Sequence, residues 1–218
     1  MTLTVRIDTL GSAQRVLLRG HRFEVASGQI LTLMGASGSG KSSVLAAIAG
    51  TLGSVNEGAQ ALRFEGSVTL AGTELTHLPT ARRGIGLLFQ DPLLFAHMTV
   101  AENLLFAVPP GPRAERLKQV QQALADAEMA DFGERDPATL SGGQRARMAL
   151  MRALLAQPRA LLLDEPFSKL DATLRDQFRA FVFEHIRRRN IPAVLVTHDT
   201  ADVADPAHVL ALPATAHV

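Results

Sequence analysis

A short segment rich in glycine and serine, placed between two predicted elements, restricts the possible folds of this chain most strongly. Residues 35–42 read Gly-Ala-Ser-Gly-Ser-Gly-Lys-Ser. The apolar residues 30–34 precede it with little alternation, which predicts a strand covered on both faces. Residues 41–50 follow as a short predicted helix that ends at a glycine. A strand, a glycine-rich loop and a helix therefore follow one another directly.

Strands and helices alternate along the rest of the chain. Apolar runs predict buried strands at residues 160–163 and 193–196, and residues 171–188 between them repeat apolar side chains at helical spacing. Further predicted strands cover residues 3–9, 15–18, 22–25, 64–70 and 84–89, and further predicted helices cover residues 99–107, 113–128 and 143–156. This alternation predicts an α/β fold with a parallel sheet.

Composition excludes several classes of function. The 218 residues include 22 Lys plus Arg and 21 Asp plus Glu, and a formal charge of +1 gives no general attraction to nucleic acid or an anionic membrane. The absence of cysteine excludes a disulfide scaffold, a cysteine-ligated metal site and thiol catalysis. No apolar stretch approaches the roughly 18–20 residues of a membrane-spanning helix. Residues 1–8 lack the pattern of a secretory signal, so we expect a cytoplasmic protein.

The glycine-rich segment matches the P-loop pattern, which binds phosphate groups. Glycines let consecutive backbone N–H groups turn toward one anion, and the N-terminus of the following helix adds partial positive charge. Lys41 can reach the β- and γ-phosphates of a nucleotide, and the Ser42 hydroxyl can ligate Mg²⁺. The predicted nucleotide-binding residues are Gly35, Ala36, Ser37, Gly38, Ser39, Gly40, Lys41, Ser42 and Ser43. The alternative, an accidental glycine-rich turn, is disfavoured by the flanking strand and helix.

Two adjacent carboxylates, Asp164 and Glu165, follow the apolar strand predicted at residues 160–163. Ligands bind at the carboxyl ends of strands in open parallel sheets. Asp164 would hold Mg²⁺ against the Ser42 hydroxyl, and Glu165 would deprotonate the attacking water as a general base. Alone, such a pair is more often a helix cap or a solvated turn. The P-loop earlier in the chain favours the metal and base roles.

The string from Leu140 to Arg145, Leu-Ser-Gly-Gly-Gln-Arg, distinguishes among P-loop proteins and closely resembles the signature motif of ABC-family ATPases. Other motifs follow in that family's order. Gln90 resembles the Q-loop glutamine, residues 168–171 resemble the D-loop, and His198 resembles the switch histidine. A lone Ser-Gly-Gly is more often an ordinary loop and a lone histidine a solvated side chain. Their joint order disfavours those interpretations, and the chain is identified as a member of the ABC ATPase family.

The resemblance implies a P-loop NTPase fold with a mainly parallel sheet core, an N-terminal antiparallel β subdomain and an inserted helical subdomain at about residues 91–145. It implies one nucleotide-binding domain over residues 1–218, without a C-terminal regulatory domain. It also implies that the chain hydrolyses ATP with Mg²⁺ as cofactor. The implied catalytic residues are Glu165, His198, Gln90 and Lys41, the implied metal ligands are Ser42, Gln90 and Asp164, and the implied D-loop residue is Asp171.

The signature motif predicts a second anion-binding loop, separate from the P-loop. Its residues open a helix, so their N–H groups and the serine hydroxyl can face an anion. The resemblance implies that they act in trans, on the nucleotide of a second subunit, in a head-to-tail homodimer. The residues implied to act in this way are Ser141, Gly142, Gly143 and Gln144.

The segment 91–103 after Gln90 is similar to the part of bacterial importer ATPases that touches their membrane subunits. Together with residues 164–171 it most resembles ATPases for uptake of thiamine, polyamines or small anions, and among them a Ynj-type group without a known solute. The implied partners are two integral-membrane permease subunits and, indirectly, a periplasmic or extracellular solute-binding protein, with the chain on the cytoplasmic face of the membrane. Burial in the subdomain core is the alternative for the apolar side chains Leu93, Leu94, Phe95 and Met98.

Two features depart from the family pattern. The chain has no Tyr or Trp, and nothing aromatic lies between Arg6 and His21, where the family carries a residue that stacks on adenine. Leu10 or a neighbour would give only apolar contact, unless His21 or Phe23 supplies the stack. Lys169 replaces the small residue usual in the D-loop.

Other functions remain as alternatives. An ABC ATPase acting on DNA or ribosomes is disfavoured because the chain lacks a coiled-coil insertion, cysteine modules and a tandem second domain. The basic residues 187–189 fit a solvated helix C-terminus, so no nucleic-acid partner is predicted. A nucleotide-gated structural module with little turnover is disfavoured by Glu165 and His198. The resemblance, together with Glu165 and His198, therefore favours the transporter ATPase.

Overall fold

A computed structural model describes residues 1–52 and 61–213. The chain divides into two compact units. The first unit comprises Met1–Ile85, Arg159–Glu165 and Phe183–Val218, and the second comprises Gly86–Pro158 and Pro166–Val182, as far as these ranges are described. The α/β fold class predicted from the sequence is confirmed.

An antiparallel sheet of strand order β2-β1-β4-β5 forms the N-terminal part of the first unit. Its strands are β1 (Thr2–Gly11), β2 (Val16–Ala26), β4 (Arg63–Leu70) and β5 (Thr73–Glu74). The sequence predicts two strands, at residues 15–18 and 22–25, where the structure has the single strand β2. Pairing with β1 on both sides of Gly20 keeps β2 a single strand, and Gly20 itself adopts a positive φ of 67°, which glycine does without strain.

A second sheet has the strand order β6-β7-β8-β3-β9. Its strands are β3 (Ile30–Met34), β6 (Ile85–Leu88), β7 (Ala160–Asp164), β8 (Ala193–Thr197) and β9 (Val209–Ala211). The pairs β3 with β8, β3 with β9 and β7 with β8 are parallel. Nearly every residue of β3, β7 and β8 is buried, as the continuous apolar runs predict. The carboxyl ends of these three strands therefore lie side by side.

The first unit also contains α1 (Lys41–Ala49), which follows the glycine-rich loop. Gly50 ends this helix in the left-handed conformation, with φ 79°. Arg83 is 6% exposed and donates hydrogen bonds to the carbonyls of Ala47 and Ile48 in the last turn of α1. The buried guanidinium of Arg83 therefore caps the C-terminal end of α1, whereas the glycine-rich loop lies at the N-terminal end. The long helix α5 spans Ala172–Arg189 and ends on three arginines, as helix C-termini favour.

The second unit contains α2 (Val100–Ala107), α3 (Arg113–Asp126) and α4 (Gly142–Leu155). These helices bury a common apolar cluster formed by Val100, Leu104, Val120, Leu124, Met148, Met151 and others. α2 begins with a capping box in which Thr99 and Glu102 bind each other's backbone N–H groups. None of the described helices combines the length and apolar character required to span a membrane.

Candidate functional site

The glycine-rich loop joins the end of β3 to the N-terminus of α1. Gly38 and Gly40 have φ angles of 79° and 92°, a conformation that glycine adopts without strain. The Nζ of Lys41, a residue only 5% exposed, donates to the carbonyls of Gly35 and Ala36 at 2.8 and 2.9 Å. The first N–H groups of α1 have no acceptor within the helix, as at every helix N-terminus. The loop therefore presents an ammonium group and backbone donors together, which suits an oligophosphate.

A cavity of about 200 Å³ opens at this loop. It is lined by Leu17, Ser37, Gly38, Gly40, Lys41, Ser42, Ser43 and Glu165. Its polar groups are backbone donors, hydroxyls, one amine and one carboxylate. This donor set fits the phosphates of a nucleotide bound with a hard cation, because such cations prefer oxygen ligands.

Ser42 and Asp164 meet at the mouth of the phosphate loop. The Ser42 hydroxyl donates to Oδ1 of Asp164 at 3.0 Å, so α1 and the end of β7 each place one oxygen here that could ligate a cation. Burial raises the pKa of the Asp164 carboxyl, and the charge of Glu165 adds to this, while the Ser42 hydrogen bond and Lys41 oppose it. A divalent cation would relieve the unfavourable burial of this carboxylate charge. The two residues therefore fit the Mg²⁺ site that the sequence predicts.

Glu165 follows Asp164 with a φ of 46°, in the left-handed region that glutamate seldom occupies. Its N–H donates to the carbonyl of Val196 on β8 at 3.0 Å, which fixes the direction in which the side chain leaves the sheet. Its Oε1 lies 3.3 Å from Nδ1 of His198. The structure therefore brings together the two residues that the sequence implies for water activation and γ-phosphate contact, at the ends of adjacent strands.

Leu17 on β2 forms the apolar wall of the cavity. A Cβ placed on Gly40 would lie 3.4 Å from the Cβ of Leu17, so this side chain borders the loop. Leu10 itself is fully buried and Phe23 is only 8% exposed, so neither side chain is open to a base. A neighbour of Leu10, or His21, stays the predicted base contact. The sequence did not single out Leu17, because strand alternation alone does not show which side chains of β2 face the loop.

The signature residues lie in the second unit, where Ser141 caps the N-terminus of α4. Its Oγ accepts from the Gln144 N–H at 3.3 Å, while the Gln144 side chain accepts from the Ser141 N–H at 2.9 Å. A hydroxyl that accepts one bond keeps its own proton for an outside acceptor. The N–H groups of Gly142 and Gly143 belong to the first turn of the helix, which has no internal acceptors. The segment thus has the donors expected of an anion-binding loop.

Q-loop and D-loop residues contact each other in the second unit. The Gln90 side-chain amide donates to the Ser168 hydroxyl at 2.9 Å, and Lys169 forms an ion pair with Asp91. Lys169, the residue that departs from the family pattern, therefore adds a second contact between the Q-loop and D-loop segments, next to that of Gln90. Asp171 accepts from the Leu174 N–H at 3.1 Å and so caps the first turn of α5. The Mg²⁺ contact implied for Gln90 stays a prediction.

The segment after Gln90 borders an apolar groove of about 260 Å³ in the second unit. The groove is lined by Leu87, Leu88, Phe89, Asp91, Pro92, Phe95, Phe106, Ala107, Ala149, Arg152, Ala153 and Ala156. Phe89 and Phe106, which line the groove, are 46% and 64% exposed, and Leu93, which does not line it, is 56% exposed. Leu94 packs instead against the helical core. Of the apolar residues in this segment, Leu94 therefore packs in the subdomain core, while Phe95 lines the groove.

Asn103 and Arg152 hold the groove in shape. The fully buried Asn103 accepts from the Phe95 N–H at 2.8 Å and donates to the carbonyls of Phe95, Met98 and Thr99. Arg152 donates to the Pro92 carbonyl at 3.1 Å, and its guanidinium lies 5.1 Å from the ring centroid of Phe95. Neither role is visible in the sequence, since both depend on contacts between distant positions.

Comparison with known proteins agrees with this arrangement. The family described as ABC transporter matches residues 18–168. The chain is 47% identical over 209 residues to the uncharacterized ABC transporter ATP-binding protein YnjD of Escherichia coli K12, covering 95% of this chain and 94% of that protein. It is 41% identical over 191 residues to the sulfate/thiosulfate import ATP-binding protein CysA of Nocardia farcinica, covering 87% of this chain and 55% of CysA. The chain spans about half the length of the CysA relatives it matches.

These matches and the P-loop fold define the class of protein, an ATP-binding ABC transporter ATPase. The chain belongs to the ABC transporter family, as the order of its motifs predicts. Because the similarity to YnjD extends over nearly the whole of both chains, the resemblance to Ynj-type ATPases is confirmed as well.

Proposed function

We propose that this chain is the Mg²⁺-dependent ATP-hydrolysing subunit of an ABC importer, and that it works as a head-to-tail homodimer beneath two permease subunits. The observation that carries the proposal is the convergence of functional groups on the phosphate loop. Ser42 with Asp164, and Glu165 with His198, meet where β7 and β8 end. Catalysis of phosphoryl transfer requires such a combination of cation site, base and anion donors.

ATP binds with its phosphates on the loop residues 35–43, and the Lys41 ammonium neutralises part of their charge. Ser42 and Asp164 would hold Mg²⁺, which would supply charge stabilisation to the phosphate oxygens. Glu165 accepts a proton from the attacking water. His198, whose Nδ1 lies 3.3 Å from the Glu165 carboxylate, keeps that carboxylate in place and contacts the γ-phosphate. Each residue thus takes the role for which its chemistry suits it.

The signature loop at the N-terminus of α4 acts on the nucleotide of the second subunit. Two observations support this proposal, namely the first-turn N–H groups of Gly142 and Gly143 and the hydroxyl proton of Ser141. Both would stabilise negative charge on the γ-phosphate, from the side that a P-loop leaves open. Hydrolysis therefore requires the dimer.

The apolar groove receives a cytoplasmic helix of a permease subunit. Exposed aromatic side chains with one arginine beside them are typical of a surface that anchors a partner helix. Import is the direction that the CysA relatives' names give for those proteins. We assign the same direction here because the segment 91–103 resembles importer ATPases.

Hydrolysis is tested by measuring phosphate release from the purified chain with ATP, with and without Mg²⁺. We expect turnover that requires Mg²⁺ and that disappears in Lys41→Ala. Turnover that persists in EDTA, or a Lys41→Ala variant as active as the parent, would contradict the proposed site.

The partner is tested by purifying a tagged chain from detergent-solubilised membranes and identifying bound proteins by mass spectrometry. We expect a polytopic permease, whose capture is lost in Phe106→Arg. Leu117→Arg is the matched control, because Leu117 is also exposed, on α3, but does not line the groove. Capture of ribosomal or DNA-bound proteins in place of a permease would favour the alternative function.

A further inference from the structure

The turn that follows β8 is tied down by a buried pair of polar side chains. Thr197 is the last residue of β8, and Asp202 closes the short 3₁₀ turn Thr200–Asp202. Each is 2% exposed, and the Thr197 hydroxyl donates to Oδ2 of Asp202 at 2.8 Å. This pair therefore spans the segment that contains His198.

The same hydroxyl also accepts a hydrogen bond from within the turn. The Asp199 N–H donates to the Thr197 Oγ1 at 3.1 Å. The Asp199 side chain then accepts from the Ala201 N–H at 2.9 Å, and the Asp202 N–H donates to the Asp199 carbonyl at 3.2 Å. The backbone is thus held immediately before and immediately after His198, whose own side chain is 60% exposed.

The chemistry of the pair makes its geometry specific. A threonine hydroxyl has one proton, and because Asp202 accepts it, the oxygen lone pairs remain for the Asp199 N–H. Because the hydroxyl donates to one buried group and accepts from another, the pair has one well-defined arrangement. Valine has the shape of threonine but can make neither hydrogen bond.

We propose that Thr197 and Asp202 are positioning residues, which hold the backbone of His198 so that its imidazole stays beside the Glu165 carboxylate. The inference rests on the proposed function in one respect, the roles of His198 and Glu165 in hydrolysis. A misplacement of about 1 Å at a reacting group can lower a rate by about 100-fold. Thr197 and Asp202 thus act on the reaction through His198 and need no contact with the nucleotide.

Three substitutions test this inference. Thr197→Val removes the hydroxyl and keeps the shape, Thr197→Ser keeps the hydroxyl, and Thr200→Val makes the same chemical change at an exposed threonine three residues further along. For each we measure kcat, the Kd for ATP, the thermal midpoint, and the ring resonances of His198 in the NMR spectrum of the nucleotide-free chain. The His198 resonances are assigned from their absence in His198→Asn.

We expect Thr197→Val to lower kcat by about 10- to 100-fold while the Kd for ATP changes by less than about threefold. Its His198 ring resonances should shift and broaden. Thr197→Ser should restore kcat to within about threefold of the parent and restore the His198 resonances. Thr200→Val should match the parent in all measurements.

Equal kcat in Thr197→Val and the parent would overturn the inference, as would a Thr197→Ser variant as slow as Thr197→Val. If Thr197→Val does not fold, the double substitution Thr197→Val with Asp202→Val removes the buried carboxylate together with the hydroxyl that donates to it, and replacing both members of a buried pair is better tolerated than replacing one. A folded double variant with the parent's kcat and parental His198 resonances would also refute it. A parent chain that hydrolyses no ATP would refute the proposed function, while the His198 resonances would still test the positioning.

Discussion

Replacing Arg83 by methionine removes the buried guanidinium that caps α1. In the structure this group donates to the carbonyls of Ala47 and Ile48 at 2.9 and 2.8 Å, and to those of Leu78 and Thr76 at 2.9 and 2.7 Å. One side chain thus joins the last turn of the helix to the turn before β6. Methionine fills much of the same volume but donates no hydrogen bond.

The expected loss of unfolding free energy follows from the backbone carbonyls that no longer receive a hydrogen bond from Arg83. The buried Ile48 carbonyl loses its donor, which costs about 1–3 kcal/mol. The Ala47 carbonyl keeps the Gly50 N–H at 3.3 Å and loses one hydrogen bond worth about 0.5–1.5 kcal/mol. Burial lowers the pKa of Arg83, with the charge of Glu74 opposing this, and removing the charge recovers part of that desolvation. We therefore expect the free energy of unfolding to fall by about 2–4 kcal/mol.

Urea unfolding followed by far-UV circular dichroism measures this loss. Arg82→Met is the matched control, because Arg82 is the neighbouring arginine and is exposed. We expect the control to change the free energy of unfolding by less than about 0.5 kcal/mol. A loss below about 1 kcal/mol in Arg83→Met, or an equal loss in both variants, would refute the assignment of buried, essential hydrogen bonds to Arg83.

Four further predictions concern the nucleotide site. Glu165→Gln should lower turnover by about 10² to 10⁴ and accumulate an ATP-bound dimer on a sizing column, whereas parental turnover would exclude Glu165 as the base. Ser141→Arg should abolish hydrolysis without weakening ATP binding to the monomer, and a large loss of that affinity would place the signature on its own subunit's nucleotide. Asp164→Asn should abolish the Mg²⁺ dependence of nucleotide binding. Because the pKa of Asp164 is raised in the folded chain, its protonated carboxyl stabilises the fold at low pH, and this contribution is lost as the pH rises above 3.8. At neutral pH the nucleotide-free Asp164→Asn variant should therefore melt at a higher temperature than the parent. In acid the variant should have no such advantage. GTP should compete with ATP within about tenfold, because Leu17 offers the base no aromatic stack of about 1–3 kcal/mol, and strong ATP preference in competition binding would contradict this.

The parts of the fold that the sequence predicts are those specified by local patterns. The mainly apolar runs of β3, β7 and β8 indicate strands buried on both faces. The capping residues Thr99 and Ser141 begin helices within one residue of the predicted positions. The P-loop residues are predictable for a related reason. Positions in the left-handed conformation just before a helix N-terminus accept few residue types besides glycine. The sequence pattern of the P-loop is therefore specific.

The rest depends on contacts between distant positions, which periodicity does not record. β2 appears as two strands in the sequence because Gly20 interrupts its pattern, while pairing with β1 makes it continuous. The buried roles of Arg83 and Asn103 are hidden because both residue types are usually exposed. The short strands β5 and β9 have too few residues to show alternation.

The left-handed backbone at Glu165 has a consequence for engineering. A side chain with a Cβ costs about 1–2 kcal/mol in that conformation, whereas glycine adopts it freely and asparagine tolerates it. Selection of variants for heat resistance alone would therefore favour glycine or asparagine at this position and would discard the proposed base. The glutamate marks a position where folding and chemistry have opposed requirements, so a thermostabilised transporter ATPase should be designed with residue 165 held constant.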